Sequence, residues 1–370
     1  MKRATVYING KFSAQRVTGV QRLAEGLVNA LDNELVRTGG AAERWVMLCP
    51  AGARPPALRR IEVRALGPGR FGLHAWEQLA LPLATWGRPL LNLAGPAPLL
   101  KRRQVCMIAD AAVFDQREAY TRTFGAWYRF LFRRLARQAL LILTISKFSS
   151  DRLTRWLAVP AARIKIVSCA ATHIAHVEAD GTTGESLGLV GTPYLLVVGS
   201  SNPTKNIARL LDAFGSVERP GVRLVLVGGH NSAVFAGATA RSADERILRT
   251  GALGDAQLKW LYEHALAFVF PSTYEGFGLP PLEAMASGCA VLASKAASIP
   301  EVCGDAAMYF DPQSLPEMTA AMRRIIDDAG LRGELRRRGR QRASQFTWAA
   351  AAAQLMAHLK HAGIVATGTE

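Results

Sequence analysis

Ala267-Phe-Val-Phe270-Pro-Ser-Thr-Tyr-Glu275-Gly-Phe-Gly-Leu-Pro-Pro-Leu-Glu283-Ala-Met-Ala-Ser-Gly288 passes from an apolar run, through a glycine-bracketed turn, into a double proline. Ala267 to Phe270 reads as a buried strand, a short apolar run bounded by turn residues. Gly276 and Gly278 allow the backbone to approach a ligand closely. Proline is tolerated where helix N–H groups have no intrahelical partner, so the spacing predicts a helix opening at Pro280 and Pro281, with Glu283 in its first turn and Gly288 able to end it. A helix start beside a Gly-rich turn gathers unpaired N–H groups and the positive end of a dipole, which suits a diphosphate. The carboxylates of Glu275 and Glu283 can accept hydrogen bonds from ribose and sugar hydroxyls. Taken singly, Glu275 reads equally as a solvated loop charge and Glu283 as a helix-dipole partner.

The same alternation continues on both sides. Tyr194 to Val198, Arg223 to Val227, Ala267 to Phe270 and Ala290 to Ala293 read as strands between helices around 205–215, 255–265, 280–287 and 315–328, a doubly wound sheet. Ligands in such sheets sit beyond the C-terminal strand ends, where Gly199 to Lys205, Gly228 to His230 and Tyr274 to Gly278 all lie. Upstream, strands are expected at Ala4 to Asn9, Trp45 to Cys49, Ile61 to Ala65, Leu90 to Leu93, Val105 to Ala109, Leu140 to Ile145 and Lys165 to Val167, and a helix at Val20 to Leu31. The class is α/β with parallel, helix-covered sheets. A chain of 370 residues exceeds the size, roughly 250–300 residues, at which one core stops growing, so two domains are expected. Gly, Thr, Glu and Asp crowd 176–192, which divides the chain into a domain at 1–175, a linker at 176–192, a domain at 193–345 and a final helical stretch at 346–370.

Lys205 follows a strand and a flexible loop and precedes a helix, so its ammonium can reach phosphate oxygens and stabilise a departing diphosphate. The five cysteines, Cys49, Cys106, Cys169, Cys289 and Cys303, are widely spaced and form neither a disulfide framework nor a zinc pattern. No histidine spacing suggests a metal, and no Asp-x-Asp pair sits at a strand end; metal-independent chemistry without a cofactor is expected. No apolar run is long enough to span a bilayer, and residues 1–8 lack the apolar core of a signal peptide, so the expected location is cytoplasmic.

Charge is uneven. Residues 1–180 hold 27 Lys and Arg against 12 Asp and Glu, whereas residues 181–370 hold 18 against 17. The first half therefore calls for an anionic partner; no nucleic-acid motif accompanies it, which leaves an acidic membrane surface, or a basic composition that only aids solubility. Arg129, Arg133 and Arg137 recur every fourth residue, with Tyr128, Phe132, Leu135 and Ala139 on a neighbouring face and Trp127 nearby. That pattern fits an interfacial helix at the inner face of a membrane, and equally a helix packed on its own domain.

The Glu275 to Glu283 stretch resembles the paired-glutamate motif of retaining glycosyltransferases of family 4 (group 1), which have the GT-B fold. Tyr194-Leu-Leu-Val-Val-Gly-Ser-Ser-Asn-Pro-Thr-Lys205-Asn206, Leu224 to Gly229, Thr250 to Asp255 and Ser298-Ile-Pro-Glu301-Val follow the family's order. Thr18-Gly-Val-Gln-Arg22, Trp76-Glu-Gln78 and Thr144 to Asp151 are similar to its bacterial polysaccharide and lipopolysaccharide branch.

The resemblance implies two Rossmann-like domains facing across a cleft, with a C-terminal helix crossing back to the first. It implies transfer of a hexose with retention, mannose from GDP-mannose by branch, to a saccharide or lipid-linked saccharide. The nucleotide-sugar is a co-substrate. Lys205 would hold the diphosphate and Glu283 the ribose. Glu275, with the turn Gly276, Phe277, Gly278 and Leu279, would hold the sugar. Gly19, Gly199, Ser200, Asn206 and Gly228 would line the donor site, Asp110 would stand with Lys205 and Glu275 in catalysis, and Arg22 would face phosphate or acceptor. Two departures stand out. Ser200 and Thr204 flank the lysine loop where many relatives place an arginine, leaving Arg22, Arg209 or backbone amides as the second phosphate contact; and Ala109 stands where relatives have histidine. An epimerase of the same architecture, or a binding protein that has lost turnover, are the rival readings.

Overall fold

Parallel strands need crossover connections, which the helices between these apolar runs supply, and the computed structural model contains two parallel sheets; it describes residues 4–39, 43–67, 72–199, 202–228 and 244–366. Contacts divide the chain into one unit of Met1–Cys169 with Thr347–Glu370 and a second of Ala170–Phe346.

The first unit's sheet consists of β1 (Thr5–Asn9), β2 (Arg44–Pro50), β3 (Glu62–Leu66), β4 (Leu90–Asn92), β5 (Gln104–Met107), β6 (Leu141–Thr144) and β7 (Ile164–Ile166), in the order β3-β2-β1-β4-β5-β6-β7. Each lies within a few residues of the strand expected from patterning, because β4, β5 and β6 are buried throughout and mostly apolar, with one polar residue each, Asn92, Gln104 and Thr144. The C-terminal helix Trp348–His361 belongs to this unit. It packs on the helix Gly19–Arg37, where a Cβ on Gly26 would fall 2.3 Å from the Trp348 ring. Ala351, Ala352, Leu355 and Leu359 are buried beneath it, and Ser168 N–H donates to Gln354 at 3.2 Å.

The second sheet contains β8 (Tyr194–Val198), β9 (Arg223–Val227), β10 (Ile247–Gly251), β11 (Ala267–Phe270), β12 (Val291–Ser294) and β13 (Ala307–Phe310), ordered β10-β9-β8-β11-β12-β13. The sequence reading missed β10 and β13. Both are edge strands and only partly buried: β10 is broken by the polar Arg249 and Thr250, and β13, Ala-Met-Tyr-Phe, is an apolar run too short for its pattern to separate strand from helix. The stretch 176–192, expected as a linker, lies inside the second unit. Thr183 and Gly184 are buried against the helix Asp255–His264, and a Cβ on Gly184 would meet Trp260 at 2.4 Å. Lys259 Nζ donates to the carbonyls of Ala175 and Val177 at 3.0 and 2.7 Å. Its small and polar residues reflect close packing and turns rather than a free tether. All five cysteines are buried thiols. Among the described residues no helix is long and apolar enough to cross a membrane.

Candidate active site

β8 and β11 lie side by side at the point where strand order reverses in the second sheet, so the loops leaving their C-terminal ends share one crevice. The first loop ends in Lys205 and the second holds Glu275. Lys205 Nζ stands 2.6 Å from Glu275 Oε1, with the two side chains 20% and 15% exposed. The ammonium also lies 5.5 Å from the centre of the Phe270 ring. Two residues expected to hold different parts of one ligand thus hold each other.

The loops are tied by backbone bonds. Asn202 caps Thr204 N–H at 3.0 Å and Pro203 opens the short 3₁₀ turn Pro203–Lys205. Thr273 N–H donates to the Thr204 carbonyl at 2.8 Å. Asn206, expected to face a donor, spends its side-chain amide on the carbonyls of Pro271 and Pro312, at 3.2 and 2.9 Å, from a left-handed conformation at φ 57°. It positions Lys205. Arg209 also turns away from phosphate duty, donating to the Pro312 carbonyl and to Gln313 at 3.1 and 2.5 Å.

Gly199 and Gly228 end β8 and β9. At Gly228, φ is 93° and a Cβ would come within 2.6 Å of the Gly199 carbonyl oxygen, so glycine there is required by backbone packing. Ser200 and His230 lie outside the described residues.

The helix after the glycine turn spans Leu279–Ala286, with Gly278 at φ 117° as its N-cap. It opens one residue earlier than expected, so Pro280 and Pro281 occupy positions whose N–H groups an anion would use, and neither has one. The anion-binding capacity of this helix start is therefore smaller than the sequence reading supposed, and falls to the amides of Phe277, Gly278 and Leu279. Ser298, fully buried, fixes that turn: its hydroxyl lies 2.9 Å from the Glu275 carbonyl and 2.8 Å from the Phe277 carbonyl.

Because the helix opens at Leu279, Glu283 falls beyond its first turn, not in it as expected, and is no dipole partner; its carboxylate is buried, at 7% exposure. His173 Nε2 lies 2.9 Å from its Oε1, and the Tyr262 hydroxyl donates to its Oε2 at 3.3 Å. Each carboxylate oxygen keeps one further lone pair. Ser298 was legible only as part of a motif, and His173 and Tyr262 gave no signal, since partners 110 and 21 positions away are joined by folding alone.

In the first unit, Gly19 opens the helix Gly19–Arg37 after the N-cap Thr18, which forms a capping box with Gln21. A Cβ on Gly19 would meet nothing within 4 Å, so packing does not demand glycine. Arg22 lies half-buried in the same first turn. Asp110 accepts the Ala112 N–H at 2.8 Å, the turn-capping use open to any strand-end aspartate. The motif Trp76-Glu-Gln78 serves the fold. Glu77 is fully buried, 2.6 Å from Lys11 Nζ and 3.1 Å from Asn9 Nδ2, and burial pushes its carboxyl above the usual range despite that lysine. Of the three arginines spaced by four, Arg129 Nη1 donates to the Val113 carbonyl at 3.0 Å and is committed within the unit, while Arg133 stays exposed with its guanidinium 5.4 Å from the centre of the Phe114 ring. Arg137 is exposed. Among the described residues, no group of His, Cys, Asp and Glu is placed to hold a metal ion.

Residues 185–343, which contain both glutamates and Lys205, match the family described as Glycosyl transferases group 1. The chain is 36% identical over 219 residues to O-antigen chain mannosyltransferase B of Escherichia coli, covering 57% of this chain and 58% of that protein. It is 30% identical over 244 residues to MMP alpha-(1->4)-mannosyltransferase of Mycolicibacterium hassiacum, covering 62% and 57% respectively. The chain thus spans less than two thirds of either relative. Sucrose-phosphate synthase from Thermosynechococcus elongatus superimposes with a TM-score of 0.75 at 19% identity, over 97% of this chain and 99% of that one. The fold expected from the motifs, GT-B with two doubly wound domains, is the fold found.

Proposed function

We propose that this chain, whose residues 185–343 carry the group 1 glycosyl transferase pattern, is a retaining, metal-independent hexosyltransferase that moves mannose from GDP-mannose to a saccharide or lipid-linked saccharide in cell-surface polysaccharide assembly. One observation carries the reading: the Lys205–Glu275 pair, 2.6 Å apart where the loops after β8 and β11 meet. A cation and a carboxylate with matched reach suit a ligand having an anionic end next to a hydroxyl-rich one. The mannosyltransferase relatives support the choice of sugar.

In this reading the donor diphosphate takes over Lys205, and Glu275, released, accepts hydrogen bonds from the sugar hydroxyls together with the amides of Phe277 to Leu279. Glu283 accepts from the ribose. As the glycosidic bond to phosphate breaks, charge grows on the departing oxygen and Lys205 stabilises it. That oxygen takes the acceptor's proton on the same face, so configuration is retained. The basic first unit supplies the acceptor site, with Arg22 as its candidate contributor, while Gly19 is the candidate for the donor side and Asp110 for catalysis, and the enzyme works at the cytoplasmic face of a membrane.

Incubating the purified chain with GDP-mannose, UDP-glucose and a panel of saccharides, with and without EDTA, tests this, the anomeric configuration being read by NMR. The expected product carries α-mannose and forms equally with chelator. Epimerised donor would favour an epimerase. Ala109 motivates one further reading, a binding protein without turnover, which donor binding with neither transfer nor hydrolysis would favour.

A further inference from the structure

Eight of the twelve large apolar side chains exposed among the described residues fall between positions 79 and 140, all in the first unit. Such concentration distinguishes a patch from scattered surface leucines. One limb is the turn of helix near Leu81–Ala84, from which Leu79, Leu83 and Trp86 project; Leu83 is 72% and Trp86 82% exposed. The other is the helix Arg122–Gln138, where Trp127 and Phe130 stand on the outward face with Arg134 and Arg137.

The segment 97–101 joins the limbs. Gln78, in the first, accepts the Leu99 N–H at 2.9 Å and donates to the Ala97 carbonyl at 3.2 Å. Gln138, at the end of the second, donates to the Leu99 carbonyl, and the Lys101 ammonium donates to the Thr85 carbonyl beside Trp86. Leu100, 80% exposed, projects between them.

The charge around this surface has one sign. No Asp or Glu occurs in 78–109 or in 119–150, while Arg88, Arg102, Arg103, Arg122, Arg134 and Arg137 are all exposed. A second copy of the same face would be repelled by it. Phosphate oxygens alone would satisfy the arginines and leave the leucines and tryptophans in water. Anionic headgroups over an acyl layer satisfy both.

We propose that Leu79, Leu83, Trp86, Leu100, Trp127 and Phe130, ringed by these arginines, form a two-limbed surface that docks on anionic lipid bilayers. It overlaps the face expected in the sequence at Trp127 and Arg137 but not at Arg129, which donates to the Val113 carbonyl; Arg133, though exposed, leans over the Phe114 ring. The surface is independent of glycosyl transfer, and vesicles without nucleotide-sugar test it alone.

The full chain is sedimented with phosphatidylcholine vesicles and with vesicles containing phosphatidylglycerol, at low and high salt. Wild type is expected to bind the anionic vesicles and to bind less as salt rises. Leu83→Ser with Trp86→Ser, and separately Trp127→Ser with Phe130→Ser, should each lower partitioning by about tenfold, since each removes two inserting side chains. Arg134→Glu with Arg137→Glu should weaken binding mainly at low salt. Circular dichroism verifies that each variant is folded, as these side chains are exposed. Unchanged sedimentation of both apolar variants would overturn the proposal. So would a wild-type oligomer that these variants dissociate without any binding to vesicles, or retention on RNA but not on lipid.

Discussion

Lys205 and Glu275 pair with each other at 2.6 Å, so removing one or the other should have opposite effects on binding of a nucleoside diphosphate. Lys205→Ala takes away the phosphate's cation and should weaken binding, and under the proposed reaction it should slow transfer as well. Glu275→Gln releases Lys205 from its carboxylate and should leave diphosphate affinity unchanged or tighter while transfer falls. Titration calorimetry of GDP against both variants checks the sign; equal weakening in both would remove the phosphate role of Lys205. Glu283 calls for a different comparison, because its oxygens already face His173 and Tyr262. Glu283→Gln keeps the size and loses the charged acceptor, so ribose-bearing ligands should bind about 1.5–3 kcal/mol more weakly. His173→Ala should produce a smaller loss of the same kind by freeing the carboxylate to rotate. The readout is the ratio of affinities for GDP and its 2′,3′-dideoxy form. If both variants preserve the wild-type ratio, Glu283 is a structural carboxylate held by His173 and Tyr262.

Between elements, the closest backbone approach near the site is that of the β8 and β9 ends. Gly228→Ala must both adopt φ near 93° and push its Cβ against the Gly199 carbonyl, which together should cost about 2–4 kcal/mol. Urea unfolding would detect this, and a loss well under 1 kcal/mol would mean the two loops can part without strain. Ser298→Ala should act more on function than on stability, since its hydroxyl holds the carbonyls of Glu275 and Phe277. The expected result is a raised donor KM with the fold retained. These contacts also explain what could be read in advance. β8, β9, β11 and β12 were legible because central strands are buried and apolar, whereas β10 and β13 at the edges were not. Lys205 and Glu275 were legible because each follows a recognisable strand. Their mutual pairing was not, nor were the roles of Asn206 and Arg209 in bracing the loop, because those depend on carbonyls more than sixty positions distant.

At the scale of the whole chain, the first unit is discontinuous: its sheet lies in residues before 170 and its last helix comes after 346. That helix supplies core. Ala351, Ala352, Leu355 and Leu359 are buried along it, Ile364 and Val365 follow, and Trp348 covers Gly26. Polar ties accompany them: His358 lies 3.0 Å from the Ile166 carbonyl and Ala366 N–H donates to Glu43 at 2.6 Å. A chain ended at Phe346 should therefore lose protection in the helix Gly19–Arg37, in β1 and β2 and in β7, because apolar faces there lose their cover. The second unit has its own continuous core, from Leu195 through Leu335, and includes the Lys205–Glu275 pair. Hydrogen exchange by mass spectrometry on the truncated chain should show rapid exchange in those first-unit segments, with β8, β9, β11 and β12 still protected and GDP still raising that protection. Equal loss of protection in both units would mean that residues 347–370 stabilise the whole chain rather than the first unit, and that the second unit's core does not hold without the first.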